Sequence, residues 1–240
     1  LKNVVSPLSL RRLRATRNTM ELRSVVCMLA SIMLCLVMCF YGTKFLQKRN
    51  YLLGIEWWIV GVSGANFALY WVTSSPTSYS IMIYLDAFSR LFGIPVIGVL
   101  GMMAVSHHYK PSVSVDAWAF LVSLTGTAVL LYSGFFDASL PYIYLVMWYG
   151  FTAYLTYFAV RLYSAGQTTV AIHLSMAIVV SSMLHTAYDF YKIPGDETNI
   201  IFNFWFIALA VWSYLFAVIY YAYDALAEAH VETDLISNPG

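Results

Sequence analysis

Charge is scarce in this chain, and it is scarcest inside the long apolar stretches. Thirteen Lys or Arg and twelve Asp or Glu make up only 10% of the 240 residues, whereas an ordinary soluble domain carries about a quarter. Together with a hydrophobic fraction of 60% and a mean hydropathy of +0.70, this leaves no stretch from which an aqueous domain of useful size could be built. The net charge of +1 gives no reason to expect a nucleic-acid or acidic partner. Only three cysteines occur, Cys27, Cys35 and Cys39. All lie in one apolar stretch, with Cys35 and Cys39 on one helical face, so neither a disulfide framework nor a cysteine metal site is expected.

Other absences narrow the chemistry. The interiors of the second to seventh apolar stretches contain no lysine, which excludes a conventional retinal Schiff base; Lys192 stands at the outer end of the sixth. His173 and His185 share one stretch at very different depths, so they do not form a facing haem-ligand pair. Only one histidine and two aspartates share a level, too few for a zinc-dependent intramembrane hydrolase. There is no glycine-rich phosphate loop, no GxSxG elbow, no CxxC and no EF-hand pattern. No cofactor and no metal are expected, and an enzymatic role is the less favoured one.

What the chain does have is seven apolar stretches, roughly 22–46, 51–74, 80–106, 114–135, 139–163, 168–191 and 199–223. Each is near or above the ~20 residues a helix needs to cross the hydrocarbon core. The expected fold is therefore all-α: a polytopic membrane protein with seven transmembrane helices in one bundle over residues 22–223, surrounded by membrane lipids. Residues 1–21 form a basic arm carrying Lys2, Arg11, Arg12, Arg14 and Arg17, and Met20 is a candidate start. Residues 224–240 form a short acidic tail with Asp224, Glu228, Glu232 and Asp234, whose beginning reads as a continuation of the last helix.

Lys44, Lys48 and Arg49, then His107, His108 and Lys110, then Arg161 fall on one side of the membrane. Asp137, Asp196 and Glu197 face a lone Lys192 on the other. Without the arm, the positive-inside rule places the N-terminus outside and the C-terminus in the cytoplasm, as in a bacterial inner-membrane protein. Trp57, Trp58, Trp118, Trp148 and Trp205 stand largely toward span ends and read as an interfacial aromatic belt. Pro95 is the one proline inside a span and should kink it, freeing a carbonyl near Leu91. A shift of 117 residues superimposes spans 1–3 on spans 5–7, pairing Lys44 with Arg161, Glu56 with His173 and Asp86 with Asn203. This faint repeat suggests a three-plus-one-plus-three plan.

A charge inside a bilayer costs at least ~2.5–3.5 kcal/mol, so interior ionisable residues must face the bundle and find partners. Asp86 and Arg90 are four apart on one face of span 3. Counted from residue 80 at 1.5 Å per residue, they lie ~9 Å and ~15 Å into the membrane. His185 and Asp189, again four apart, lie in the outer third of span 6. Asn203, Tyr70 and Asn66 occupy comparable depths. These seven residues are the expected ligand-binding set, with Arg90 as an anchor for an anionic group and His185 as a candidate proton-sensitive switch. Glu56 and His173, closer to the basic side, are the expected inner gate.

The favoured function is a small-molecule permease with an outward-open polar cavity around Arg90, proton-coupled through Asp86, Asp189 or His185. One alternative is a non-catalytic receptor or accessory subunit, docking a protein partner or another copy of itself through small residues such as Gly61, Ser63 and Gly64. The other is an intramembrane enzyme acting on a lipid or quinone-like substrate through His185 and Asp189.

Overall fold

Helix ends in this protein are set by short polar signals between apolar runs. The computed structural model describes residues 7–191, 199–200 and 203–237, with side chains described over 22–191, 199–200 and 203–231. Its helices are α1 (Pro7–Gln47), α2 (Tyr51–Thr73), α3 (Pro76–Ser106), α4 (Val113–Tyr132), α5 (Leu140–Ser164), α6 (Thr168–Phe190) and α7 (Phe204–Ser237). No strand occurs among the described residues. All seven contain a segment long and apolar enough to span a membrane, so the chain is a seven-helix membrane bundle.

The caps follow from local chemistry. Ser75 precedes Pro76 and its Oγ accepts the Ser78 N–H; Ser112 does the same for Val115 at the start of α4. Ser74 stops α2 in a left-handed conformation at φ 53°, and Gly166 follows α5 at φ 77°. Helix α1 begins at Pro7 and so continues through the basic arm, which the sequence sets apart from the first span; α7 continues into the acidic tail, as its beginning suggests, and runs on to Ser237. Lys2, Lys192, Asp196 and Glu197 lie outside the described residues, as do the side chains of Arg11, Arg12, Arg14, Arg17, Glu232 and Asp234.

Six helices close a ring: α1 packs on α2, α2 on α3, α3 on α5, α5 on α6, α6 on α7, and α7 back on α1. Helix α4 stands outside it, packed mainly on α3, with only 11% of its spanning window buried. The two helical triplets thus sit side by side, with α4 as the odd element between them in sequence. Residues paired by the 117-residue shift nevertheless occupy different surroundings: Glu56 is fully buried, whereas His173 is exposed and bonded to Tyr214.

The basic side is one physical end of the bundle. Lys48 ion-pairs with Asp224, and Lys44 and Lys48 lie over the Tyr220 ring. Asn50 caps α2 and donates from Nδ2 to the Gly101 carbonyl at 2.8 Å, tying α2 to α3. Arg161 donates to the Ser106 carbonyl at 3.0 Å, joining α5 to α3. These bonds explain why α7 stays helical as it leaves the apolar layer: its first polar turn is already partnered.

The core corrects two sequence expectations. Trp57 and Trp148 are fully buried rather than interfacial; Trp57 packs edge-on against Phe45 and Phe216. Only Trp58 and Trp118 of that group are well exposed. Gly61 and Gly64 do not present a free docking face either, because they form the seam where α2 meets α1. A Cβ at Gly61 would stand 2.9 Å from Cys39 Sγ, and one at Gly64 would stand 3.2 Å from the Ser31 carbonyl. Gly54 is tighter still, with Leu46 Cδ2 at 2.5 Å from the same hypothetical atom, while Gly150 has nothing within 4 Å. Gly54→Leu is therefore expected to lower stability by about 1–3 kcal/mol or more through overpacking. Gly150→Leu should leave the thermal midpoint in detergent unchanged. Equal midpoints for the two variants would contradict this packing.

Candidate functional site

Pro95 has no N–H to donate, so an α-helical hydrogen-bond ladder cannot run unbroken through α3. The chain responds by widening rather than kinking to a stop: Ser89–Gly98 is π-helical, with α-helix on both sides. Such wide turns are uncommon and concentrate at functional sites. Arg90 lies near the start of this segment and is 5% exposed.

A guanidinium at this depth needs compensation, and both of its Nη atoms and both of its planar faces have it. Nη2 of Arg90 makes a short charge-assisted bond to Asp189 on α6, and Nη1 stands 3.7 Å from Asp86 Oδ2, one turn earlier on α3. The planar faces are covered by Tyr144 on α5 at 3.8 Å and Tyr188 on α6 at 4.2 Å from the ring centroids. These are cation–π contacts in a desolvated setting, where each contributes on the order of 2 kcal/mol. Arg90 therefore fastens α3, α5 and α6 together.

Beside this cluster lies a cavity of about 50 Å³, room for a few water-sized groups. Its walls come from every helix except α4: Leu34 on α1; Val60, Ser63 and Phe67 on α2; Asp86, Ser89 and Arg90 on α3; Trp148 on α5; His185 on α6; Trp205, Trp212 and Phe216 on α7. The lining is mostly aromatic and apolar, with a few convergent polar groups, as small-molecule sites usually are. His185 is 1% exposed, stacked on Trp148 at 4.1 Å with the planes 7° apart, and neither of its ring nitrogens has a hydrogen-bond partner among the described residues. Among the described residues, Arg90 Nε and the indole N–H groups of Trp148 and Trp212 have no hydrogen-bond partner either.

The structure thus brings together Asp86, Arg90, Asp189 and His185, with Asp189 reaching the site through Arg90. It does not bring the other sequence candidates to the cavity wall. Asn203 caps α7, its Oδ1 accepting the Phe206 N–H at 2.9 Å, and Cys27 donates to that same oxygen. Asn66 donates back to the Val62 carbonyl at 2.9 Å, and Tyr70 packs on Tyr79. No His185–Asp189 pair forms among the described residues: Asp189 is bonded to Arg90 and His185 is stacked on Trp148. Glu56 and His173 also stand apart. Glu56 is fully buried against the π-helical segment, where a Cβ on Gly93 would meet its Oε1 at 2.2 Å.

Tyr144, Tyr188, Trp148 and Trp212 escaped the sequence reading. Their one available signal was the helical spacing of Tyr188 to His185 and of Tyr144 to Trp148, which places each pair on a common face.

Two outcomes test this site. Removing one partner of a buried ion pair typically costs about 3–5 kcal/mol, so Asp189→Ala should strongly lower the unfolding midpoint, and Asp86→Asn, whose contact is longer, should lower it far less. The close approach at Gly93 should appear as coupling. Gly93→Ala is expected to destabilise the natural protein and to be better tolerated with Glu56→Ala, by an interaction energy of about 0.5–3 kcal/mol in a double-mutant cycle. Additive effects would mean that Glu56 does not pack there.

A scan against protein-family models and searches of curated proteins and of solved structures return no match for this chain, so its fold and site stand on their own geometry.

Proposed function

We propose that the protein is a small-molecule permease whose substrate passes through the cavity beside Arg90. The observation that carries this reading is the composition of the cavity wall. Both helical triplets contribute, from Leu34 of α1 to Phe216 of α7, so relative movement of the triplets would open the cavity toward one side or the other. A small cavity next to a polar cluster is what the substrate site of a carrier would have.

The π-helical segment is the expected moving part. One residue entering or leaving a wide turn rotates the following side chains by about 100°, and Ser89 and Arg90 lie on that segment. Proton coupling through Asp86 or His185 belongs to this proposal, and so does orientation. The basic end carrying Lys44, Lys48, Arg49, Lys110 and Arg161 is assigned to the cytoplasm, with the Asp137 connection outside, in a bacterial inner membrane.

The test does not require the substrate. Ser63 and Ser89 line the cavity on α2 and α3 and are 9% and 5% exposed. In a protein with Cys27, Cys35 and Cys39 replaced by alanine, Ser63→Cys and Ser89→Cys report access to the cavity. A membrane-impermeant thiol reagent should label both positions from either face of oriented vesicles. Labelling from one face alone would point to a receptor and would overturn the permease reading.

A further inference from the structure

The charge count at the cavity points to a class of ligand. Asp86 and Asp189 face a single guanidinium, and among the described residues no other Lys or Arg lines the cavity. With both carboxylates ionised, the site holds one negative charge in excess inside a low-dielectric bundle, where unbalanced charge is most costly. An arriving anion would put three negative groups around one positive group whose two faces are already covered by Tyr144 and Tyr188. An arriving cation would make the count even.

The geometry identifies which carboxylate is open. Asp189 is bonded to Arg90, while Asp86 stands 3.7 Å from it and is the carboxylate among the residues that line the cavity. The same cavity is lined by the aromatic side chains Phe67, Trp205, Trp212 and Phe216, and by His185, whose ring nitrogens have no hydrogen-bond partner among the described residues at 1% exposure. Aromatic faces joined to one carboxylate form the usual cage for ammonium groups. The other titratable groups within electrostatic reach of Asp86 are Arg90 on its own helix, Tyr144 on α5, and Tyr188 and Asp189 on α6. His185 on α6 lines the same cavity, and Glu56 on α2 lies by Gly93.

We infer that the cavity binds a small organic cation of the ammonium class at Asp86, in exchange for one proton on that carboxylate. The inference rests on the permease reading for its purpose but not for its chemistry. The O–H bond of protonated Asp86 breaks, the proton leaves to water, and the cation takes over the charge; nothing is oxidised or reduced. A carrier built this way couples cation and proton because the two cannot occupy Asp86 together.

The test uses three solutes of similar shape and different charge: tetramethylammonium, tert-butanol and pivalate. The neutral arm is needed because the free indole N–H groups of Trp148 and Trp212 could favour an acceptor. Binding to the full chain in nanodiscs is followed by tryptophan fluorescence and by calorimetry in two buffers of different ionisation enthalpy. Tetramethylammonium should bind and pivalate should not. One proton should be released per cation, and affinity should rise on the order of tenfold per pH unit while Asp86 is protonated in the free protein. Asp86→Asn should lose at least tenfold in affinity together with the proton release, and Asp86→Glu should retain both, which separates lost chemistry from lost fold. Preference for pivalate, equal binding of tert-butanol, or cation binding without proton release would overturn the inference. If the cation binds with proton release but Ser63→Cys and Ser89→Cys label from one face only, the ligand assignment stands and the permease reading falls. If both faces label and only tert-butanol or pivalate binds, the reverse holds.

Discussion

A guanidinium buried in a bilayer is the constraint on which the rest of this structure turns. Left alone, Arg90 would not be tolerated at that depth. Asp189 must therefore sit on α6 at the matching level, Asp86 one turn back on α3, and a tyrosine ring on each face. These groups come from three helices, so satisfying one side chain sets the relative rotation and height of α3, α5 and α6. The bulky partners also keep neighbouring helices from closing over the region, which leaves a cavity where α1, α2 and α7 complete the wall.

The second constraint is Pro95. A missing N–H in mid-membrane cannot be made up by water, and the helix meets it with ten residues of π geometry, Ser89–Gly98. Because Ser89 and Arg90 begin that segment and Glu56 packs on its Gly93, the least regular backbone in the bundle supports its most polar interior. The polar cluster and the widened turns are therefore one object. At the other end, Lys48 with Asp224 and Asn50 with Gly101 hold the basic face together.

The sequence was informative about depth and poor about direction. Apolar length placed all seven helices, the run from Asp224 to His230 was legible as more helix, and burial cost alone marked Asp86, Arg90, His185 and Asp189 as interior. Periodicity does not say which helix stands opposite which. Asn203 and Tyr70 shared the right depth yet serve as a cap and a ring contact away from the cavity, and Glu56 and His173 shared a depth but face the core and the outside respectively. Trp57 and Trp148 carried the composition of a belt and the position of a core. The π-helical segment adds a physical reason: a 3.6-residue template loses phase across Ser89–Gly98, so the faces of α3 beyond it are not those the spacing suggests.

Arg90 is already committed to the protein's own groups, and the exchange of a proton for a cation that we infer at Asp86 depends on that commitment. Infrared difference spectroscopy of the carboxyl carbonyl stretch reads this directly in the full-length protein. On adding tetramethylammonium at constant pH, the account expects one protonated-carboxyl band to disappear and a carboxylate band to grow, and expects neither change in Asp86→Asn. A protonated-carboxyl region that stays the same while the cation binds would contradict it.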